Sequence, residues 1–250
     1  MKAKIKIQEN SYRVDLMKFY DISISVGDEA SPVAYGAPAL EIKPFKDEGF
    51  TGSLEAGSPV NFYNIRINPH GNGTHTETAR HISREAPSIS ELNLSPHHIA
   101  RLITVTPRIT EDADSVVDLS SYDWDSLDLE DVNAIIIRTK PNNINKRRAN
   151  YTGTNPAYYD HELLSWLNKR VDHLLIDLPS VDKEQDGGAL KGHKAFWQTE
   201  KKPDYHKTIT EMVFVDSVVN DGLYLLELQV LSLNTDASPS RPLLFPLKKA

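Results

Sequence analysis

The chain has 250 residues, enough for one large domain or two small ones with a sizeable core. Its formal net charge is −7, with 25% charged residues and no strongly basic block, so nucleic acid is not an expected partner: phosphate neutralisation needs clustered Lys and Arg. The absence of cysteine excludes disulfides, thiolate metal sites and cysteine nucleophiles, and any metal must be held by His, Asp or Glu. No run of about 18 apolar residues is present, and no apolar segment follows the early lysines. The expectation is a cytoplasmic enzyme or binding protein with no membrane partner.

In chain order, Lys4 to Leu16 reads as strand, with Ile5, Ile7, Tyr12 and Val14 spaced by two. Leu102 to Thr106 is a second β-rich run. Val116-Val117 begins a strand that gives way to an Asp/Ser-rich connection. Ala134 to Arg138 is a continuous apolar run, as expected of a strand buried on both faces. Pro141 to Asn155 is a long polar loop carrying the basic triplet Lys146 to Arg148, too short to attract nucleic acid. Tyr159, Leu163, Leu164, Leu167 and Val171 recur at helical spacing, which predicts an amphipathic helix from about Pro156 to Arg170. His173 to Leu178 is a second buried strand, so strand, helix and strand imply a parallel pair with a right-handed crossover. Leu223 to Leu233 reads as the last long strand, followed by Asn234 to Pro242, rich in Ser, Pro and Asp. No repeat or low-complexity linker divides the chain. The reading is one mixed α/β domain over residues 1–250, with more strand than helix.

One segment holds a third of the nine histidines: His70-Gly-Asn-Gly-Thr-His75-Thr-Glu77-Thr-Ala-Arg-His81. In an extended chain, residues two apart share a face, so His75 and Glu77 project together. Gly71 and Gly73 permit positive φ, which would let the chain fold His70 back toward them. Neutral imidazoles with a carboxylate suit zinc, manganese or iron(II) and leave coordination positions for water. The alternative is a set of unrelated surface and core histidines.

The segment resembles the HxGTHxDxPxH signature of the metal-dependent cyclase family, which includes bacterial kynurenine formamidases and isatin hydrolases. Further likenesses keep their order along the chain. They are Asp21-Ile-Ser23, Ile135 to Thr139, the GxDxPSxD-like run Leu175-Ile-Asp177-Leu-Pro179-Ser-Val-Asp182, and His193. Glu211 with Val213 to Tyr224, and Ser238-Pro239-x-Arg241-Pro242, complete them. The resemblance implies the family's swivelling β/β/α fold, a mixed sheet and a homodimer. It implies His70, His75, Glu77, His193 and Glu211 as metal ligands and His81 as general acid/base. It also implies one or two divalent ions, zinc first and manganese second.

Three departures from the signature stand out. One extra residue follows His70, Glu77 replaces aspartate, and Ala79 replaces proline, loosening the turn to His81. The longer glutamate arm would offset the shifted backbone. His206 is a rival ligand, because the stretch from His193 to Glu211 is longer than the family's. His97 and His98 are expected to cap a turn, His161 to lie on the polar start of the helix, and His173 to pack at a strand entrance.

The implied reaction is hydrolysis of an aryl formamide such as N-formylkynurenine. Hydroxide formed by the cation attacks the carbonyl, and His81 moves the proton to the leaving amine. Phe196 and Trp197 are candidates to stack on an aromatic substrate, or else belong to the core. Arg138, Arg241 and the Lys146 to Arg148 loop are candidates to bind the substrate's carboxylate. One alternative is an isatin-type cyclic amide or lactone hydrolase. A second is a non-catalytic relative that binds a small molecule at a weakened metal site.

Overall fold

The computed structural model describes residues 1–7, 9–27 and 31–250. Nine of the ten strands of the main sheet are β1 (Lys2–Ile7), β2 (Asn10–Asp15), β3 (His75–Thr78), β4 (His97–Val105), β5 (Ala134–Thr139), β6 (His173–Ile176), β7 (Thr208–Glu211), β8 (Gly222–Val230) and β9 (Ala237–Lys249), the tenth being the two-residue Tyr20–Asp21. Seven of them close into a ring in the order β3, β7, β6, β5, β4, β8, β9 and back to β3. The pairs from β4 through β5 and β6 to β7 are parallel; the others are antiparallel. The β1–β2 hairpin extends the sheet beyond β9. Two helices, α1 (His161–Asn168) and α2 (Lys191–Trp197), occupy the connections that lead into β6 and β7. This is the expected α/β class with a mixed sheet, closed into a barrel.

Closure gives each central strand two buried faces. Ala134 and Ile136 of β5 point into the barrel with Leu102, Leu175, Leu226 and Leu244. Ile135 and Ile137 point outward beneath the helices, against Leu163, Leu164, Leu167, Phe196 and Trp197. That is why β5 reads as an unbroken apolar run and not as an alternation. Each fully buried leucine of α1 contributes roughly 1.5–3 kcal/mol. The predicted β5–α1–β6 unit is present, with Ala134 paired to His173 in parallel register. Its helix is shorter than the apolar spacing suggests. Tyr158–Tyr159 is a short strand, and the Asp160 side chain accepts from the Glu162 backbone N–H, which starts the helix there.

Two expectations change. Lys4 to Leu16 is not one strand but the β1–β2 hairpin, with Ile5 opposite Tyr12. Leu223 to Leu233 is not the last long strand: β9 follows it, at 13 residues the longest of all. Pro239, Pro242 and Pro246 disguise it. Away from β8, β9 meets β3 over residues 237–239, Tyr20–Asp21 over 243–244 and β2 over 247–249. Pro242 and Pro246 fall in the gaps between these partners, where no N–H is required.

His98 is not a turn cap. It is buried at the start of β4, with its ring centroid 4.0 Å from that of His173. Asn133 Nδ2 donates to His98 Nδ1 at 3.2 Å, and His173 Nδ1 lies 2.9 Å from Thr208 Oγ1. Burial lowers the pKa of both imidazoles, and the neighbouring His98 helps push His173 down to about 3. Above the unfolded-state value of about 6.5, neither state binds a proton at His173. Below it, the unfolded chain takes up protons that the folded pair refuses, so stability falls as pH drops from about 6.5 toward 3. In a His173→Gln variant, the slope of unfolding free energy against pH between 6 and 4 should flatten by up to about 1.4 kcal/mol per pH unit. Denaturant titrations at several pH values measure this, and parallel slopes for variant and wild type would refute it.

Candidate metal centre

The barrel seam builds one wall of the site. His75 and Glu77 alternate with Thr76, so they share the face of β3 that looks out of the barrel toward α2. Thr76 points the other way and meets Thr210 Oγ1 at 2.8 Å, which locks the register of β3 against β7. In that register Glu211 sits opposite His75. From α2, His193 reaches the same spot: its Nε2 lies 3.1 Å from Glu77 Oε1 and 4.0 Å from Glu211 Oε1. His75 Nδ1 contacts Gly73 O at 2.9 Å, which turns Nε2 toward Glu211 Oε2, 3.4 Å away. Gly73 has φ +145°, and a Cβ there would come within 2.6 Å of Val26 Cγ1. Gly71 serves differently from the expected positive φ: its missing side chain leaves room for Ala34 and Ala37.

The extra residue after His70 is absorbed by a closed turn. Asn72 N donates to Asn68 O at 3.0 Å, and Asn68 N donates to Asn72 Oδ1 at 2.8 Å. His70 therefore faces the cluster, with Nδ1 3.4 Å from Glu77 Oε2. His81 follows on a single turn of 3₁₀ helix, Ala79–His81, capped by Thr78 in place of the missing proline. Two carboxylates without an assigned role also take part. Asp182 Oδ2 lies 2.5 Å from His193 Nδ1 while Asp182 Oδ1 accepts from Gly192 N, so one side chain both starts α2 and orients its histidine. Asp236 Oδ2 lies 2.9 Å from His70 Nε2 and 3.0 Å from His81 Nδ1.

These contacts divide the charge unevenly. Burial would raise the Glu77 pKa, but His193, His81 and His70 hold it down to about 2. Burial, and then the charge of Glu77, push Glu211 up to about 8. Burial keeps His75 neutral. Burial would also lower His193, yet Glu77 and Asp182 outweigh it and raise that ring well above its ordinary value. Within the cluster, two buried polar atoms have no hydrogen-bond partner, His75 Nε2 and Glu77 Oε2. Donor atoms of His75, Glu77 and Glu211 lie within 4.8 Å of one another, as do those of His70, Glu77 and His81. Orphaned lone pairs converging from imidazole and carboxylate fit a divalent cation, with Glu77 common to both groups.

The cluster opens on a cleft of about 380 Å³ lined by His70, His81, His193, Glu211 and Tyr35. Larger grooves exist, such as one of about 480 Å³ beside Lys191, Lys194 and Lys201, but it has no converging donors. Phe196 and Trp197 do not line the cleft. Both are fully buried in the core, where Trp197 backs the His193 ring at 5.4 Å and donates to Lys207 O, so neither has a face to offer a substrate. His206 is not brought to the cluster: it is exposed and paired with Asp172 at 3.1 Å. Arg138, Arg241 and Lys146 are held by Asp221, Asp21 and Asp177. The cation at the cleft is Lys183, itself bound to Asp114 at 2.6 Å.

An α/β barrel with converging histidines and glutamates at its seam defines a class of metal-binding folds. Within it, the chain belongs to the putative cyclase family, whose model matches residues 20–183. It is similar in fold to a predicted metal-dependent hydrolase from Bacillus stearothermophilus. That pair shares 20% identity over 91% of this chain and 98% of the other, with a TM-score of 0.62. Isatin hydrolase A from Labrenzia aggregata, bound to benzyl benzoate, matches at 14% identity over 91% and 93% of the two chains, with a TM-score of 0.67. A structure described as a novel cyclase matches at 12% identity over 95% and 87%, with a TM-score of 0.63. No curated protein matches the chain. Among the described residues, no helix is long and apolar enough to cross a membrane.

Uptake of a divalent cation at pH 7 must displace the protons on Glu211 and His193, so apparent affinity should climb from about pH 6 and go on rising above pH 8. Calorimetry in buffers of different ionisation heat should show net proton release that shrinks in Glu211→Gln. His75→Ala should lose the metal altogether, read by mass spectrometry of protein purified without a tag or chelator.

Proposed function

We propose that the protein is a metal-dependent amidohydrolase that opens an aryl formamide in the manner of an arylformamidase. One observation carries the reading. A group of converging donors, two of them buried and without partners, adjoins an open cleft at which His81 and His70 stay partly exposed, at 29% and 24% of their side chains. His70, His75, Glu77, His193 and Glu211 are the residues that would hold the cation, with zinc first and manganese second. A divalent cation there supplies water acidified to near neutral pH and polarises a carbonyl. The rest is work for the side chains. Glu77 and Glu211 fix the donor geometry from two adjacent strands. His81 reaches the cleft and transfers a proton to the leaving nitrogen, for which an imidazole is suited near pH 7. Tyr35 replaces Phe196 and Trp197 as the aromatic contact: it is 44% exposed, lines the cleft, and is fixed by its hydroxyl donating to Pro179 O at 3.0 Å.

A second reading has its own support. Several similar structures are described as isatin hydrolases, and a fixed aromatic wall suits a flat bicyclic amide as well as a formanilide. Both readings share the cation, His81 and an amide carbonyl.

His81→Ala should lower turnover about 10²- to 10⁴-fold while the metal stays bound, measured as kcat beside metal content. Loss of metal in that variant would make His81 a ligand instead. Tyr35→Ala should raise KM for aromatic amides several-fold with little change in kcat. Rates on N-formyl anilides against isatin separate the two substrates, and inactivity of the metal-loaded protein on both would end the proposal.

A further inference from the structure

We infer that Asp236 is a positioning residue that assigns the two cleft histidines their separate roles by fixing which ring nitrogen carries the proton. Its Oδ2 lies 2.9 Å from His70 Nε2 and 3.0 Å from His81 Nδ1. A carboxylate oxygen only accepts, so both of those nitrogens are N–H donors. A neutral imidazole has one N–H, which leaves the lone pairs on His70 Nδ1 and His81 Nε2.

The consequences differ for the two rings. The His70 lone pair faces Glu77 Oε2 at 3.4 Å with no proton between them, which is a contact that a cation completes. His81 Nδ1, 4.0 Å from the same oxygen, would otherwise be a third donor beside His70 and Glu77. Asp236 occupies that nitrogen. It thereby removes His81 from the donor set and keeps its Nε2 for proton exchange. One carboxylate makes one histidine a ligand and its neighbour an acid/base. The role of His81 rests on the hydrolase reading; the placement of the protons does not.

Asp236 is held by the seam of the barrel. Its carbonyl accepts from Thr78 N at 2.9 Å, and the next residue, Ala237, pairs with Glu77. The side chain is thus anchored to the strand that carries two of the ligands. The same contact offsets the inserted residue before Gly73, because it ties His70 back to the seam.

The test is long-range proton–nitrogen NMR of the imidazoles in ¹⁵N-labelled, metal-free protein at pH 8, with the rings assigned through His70→Gln and His81→Gln. The expected pattern is His70 protonated at Nε2 and His81 at Nδ1. In Asp236→Ala both rings should become tautomer mixtures, and zinc affinity should fall about 10- to 100-fold. Asp236→Asn keeps an accepting oxygen and should retain most of both properties. If the alanine variant does not fold, the wild-type pattern and the asparagine variant decide. Wild-type His81 protonated at Nε2, or Asp236→Ala with unchanged tautomers and affinity, would overturn the inference. The expected tautomers in a protein that hydrolyses no amide would uphold it and count against the proposed reaction alone.

Discussion

A carboxylate with no exposure to water governs this structure. Glu77 is fully buried on a strand whose four residues are all buried, and close to a second buried carboxylate, Glu211. Two such groups cannot both stay ionised without compensating charge. The surroundings supply it: the raised His193 ring on one oxygen of Glu77, and a proton on Glu211 when no cation is present. The donors around them have carboxylate partners in turn, Asp182 for His193 and Asp236 for His70 and His81. The arrangement is layered, with the converging histidines and glutamates inside and orienting carboxylates around them, which suits a metal centre.

The scaffold reaches this precision through closure. An open sheet would leave β3 as an edge and the first residues of β9 unpaired, free to slide in register. Their pairing fixes His75, Glu77 and Asp236 together, while the Thr76–Thr210 contact inside the barrel fixes Glu211 relative to His75. The apolar packing of α1 and α2 on the outer face then sets the height of His193 above the sheet. Stability and site geometry come from the same contacts, which is why Trp197 matters as the wall behind His193 and not as a substrate platform.

Much of this was readable from the residues. The histidine-glutamate cluster is dense, local and extended, and the β5–α1–β6 unit announces itself by an apolar run and a helical spacing. What escaped was set by long-range contacts. The helix α2 has seven residues, includes a glycine, and starts from a left-handed Leu190, so no periodicity betrays it. Thr-Ile-Thr-Glu is too short to stand out as strand β7. Prolines hid β9, because their tolerance depends on which neighbour lies beside each one. Asp236 is 166 residues from His70, and nothing near it in the sequence marks it as a partner. The departures of the signature found their resolution in the fold: a closed turn for the extra residue and a threonine cap for the absent proline.

The placement of β9 has a consequence for synthesis of the chain. The donors at residues 70–81 emerge early, whereas Glu211, Asp236 and the strand that closes the barrel come from the last fifth of the sequence. Loop closure over such separations is slow and uncompensated until the final strand docks. The centre therefore cannot assemble before residues 237–239 have been made and paired with β3. Asp236 meets His70 and His81 only after residues 237–239 have joined the seam, so the outer carboxylate of the cluster is among the last pieces to be placed in folding.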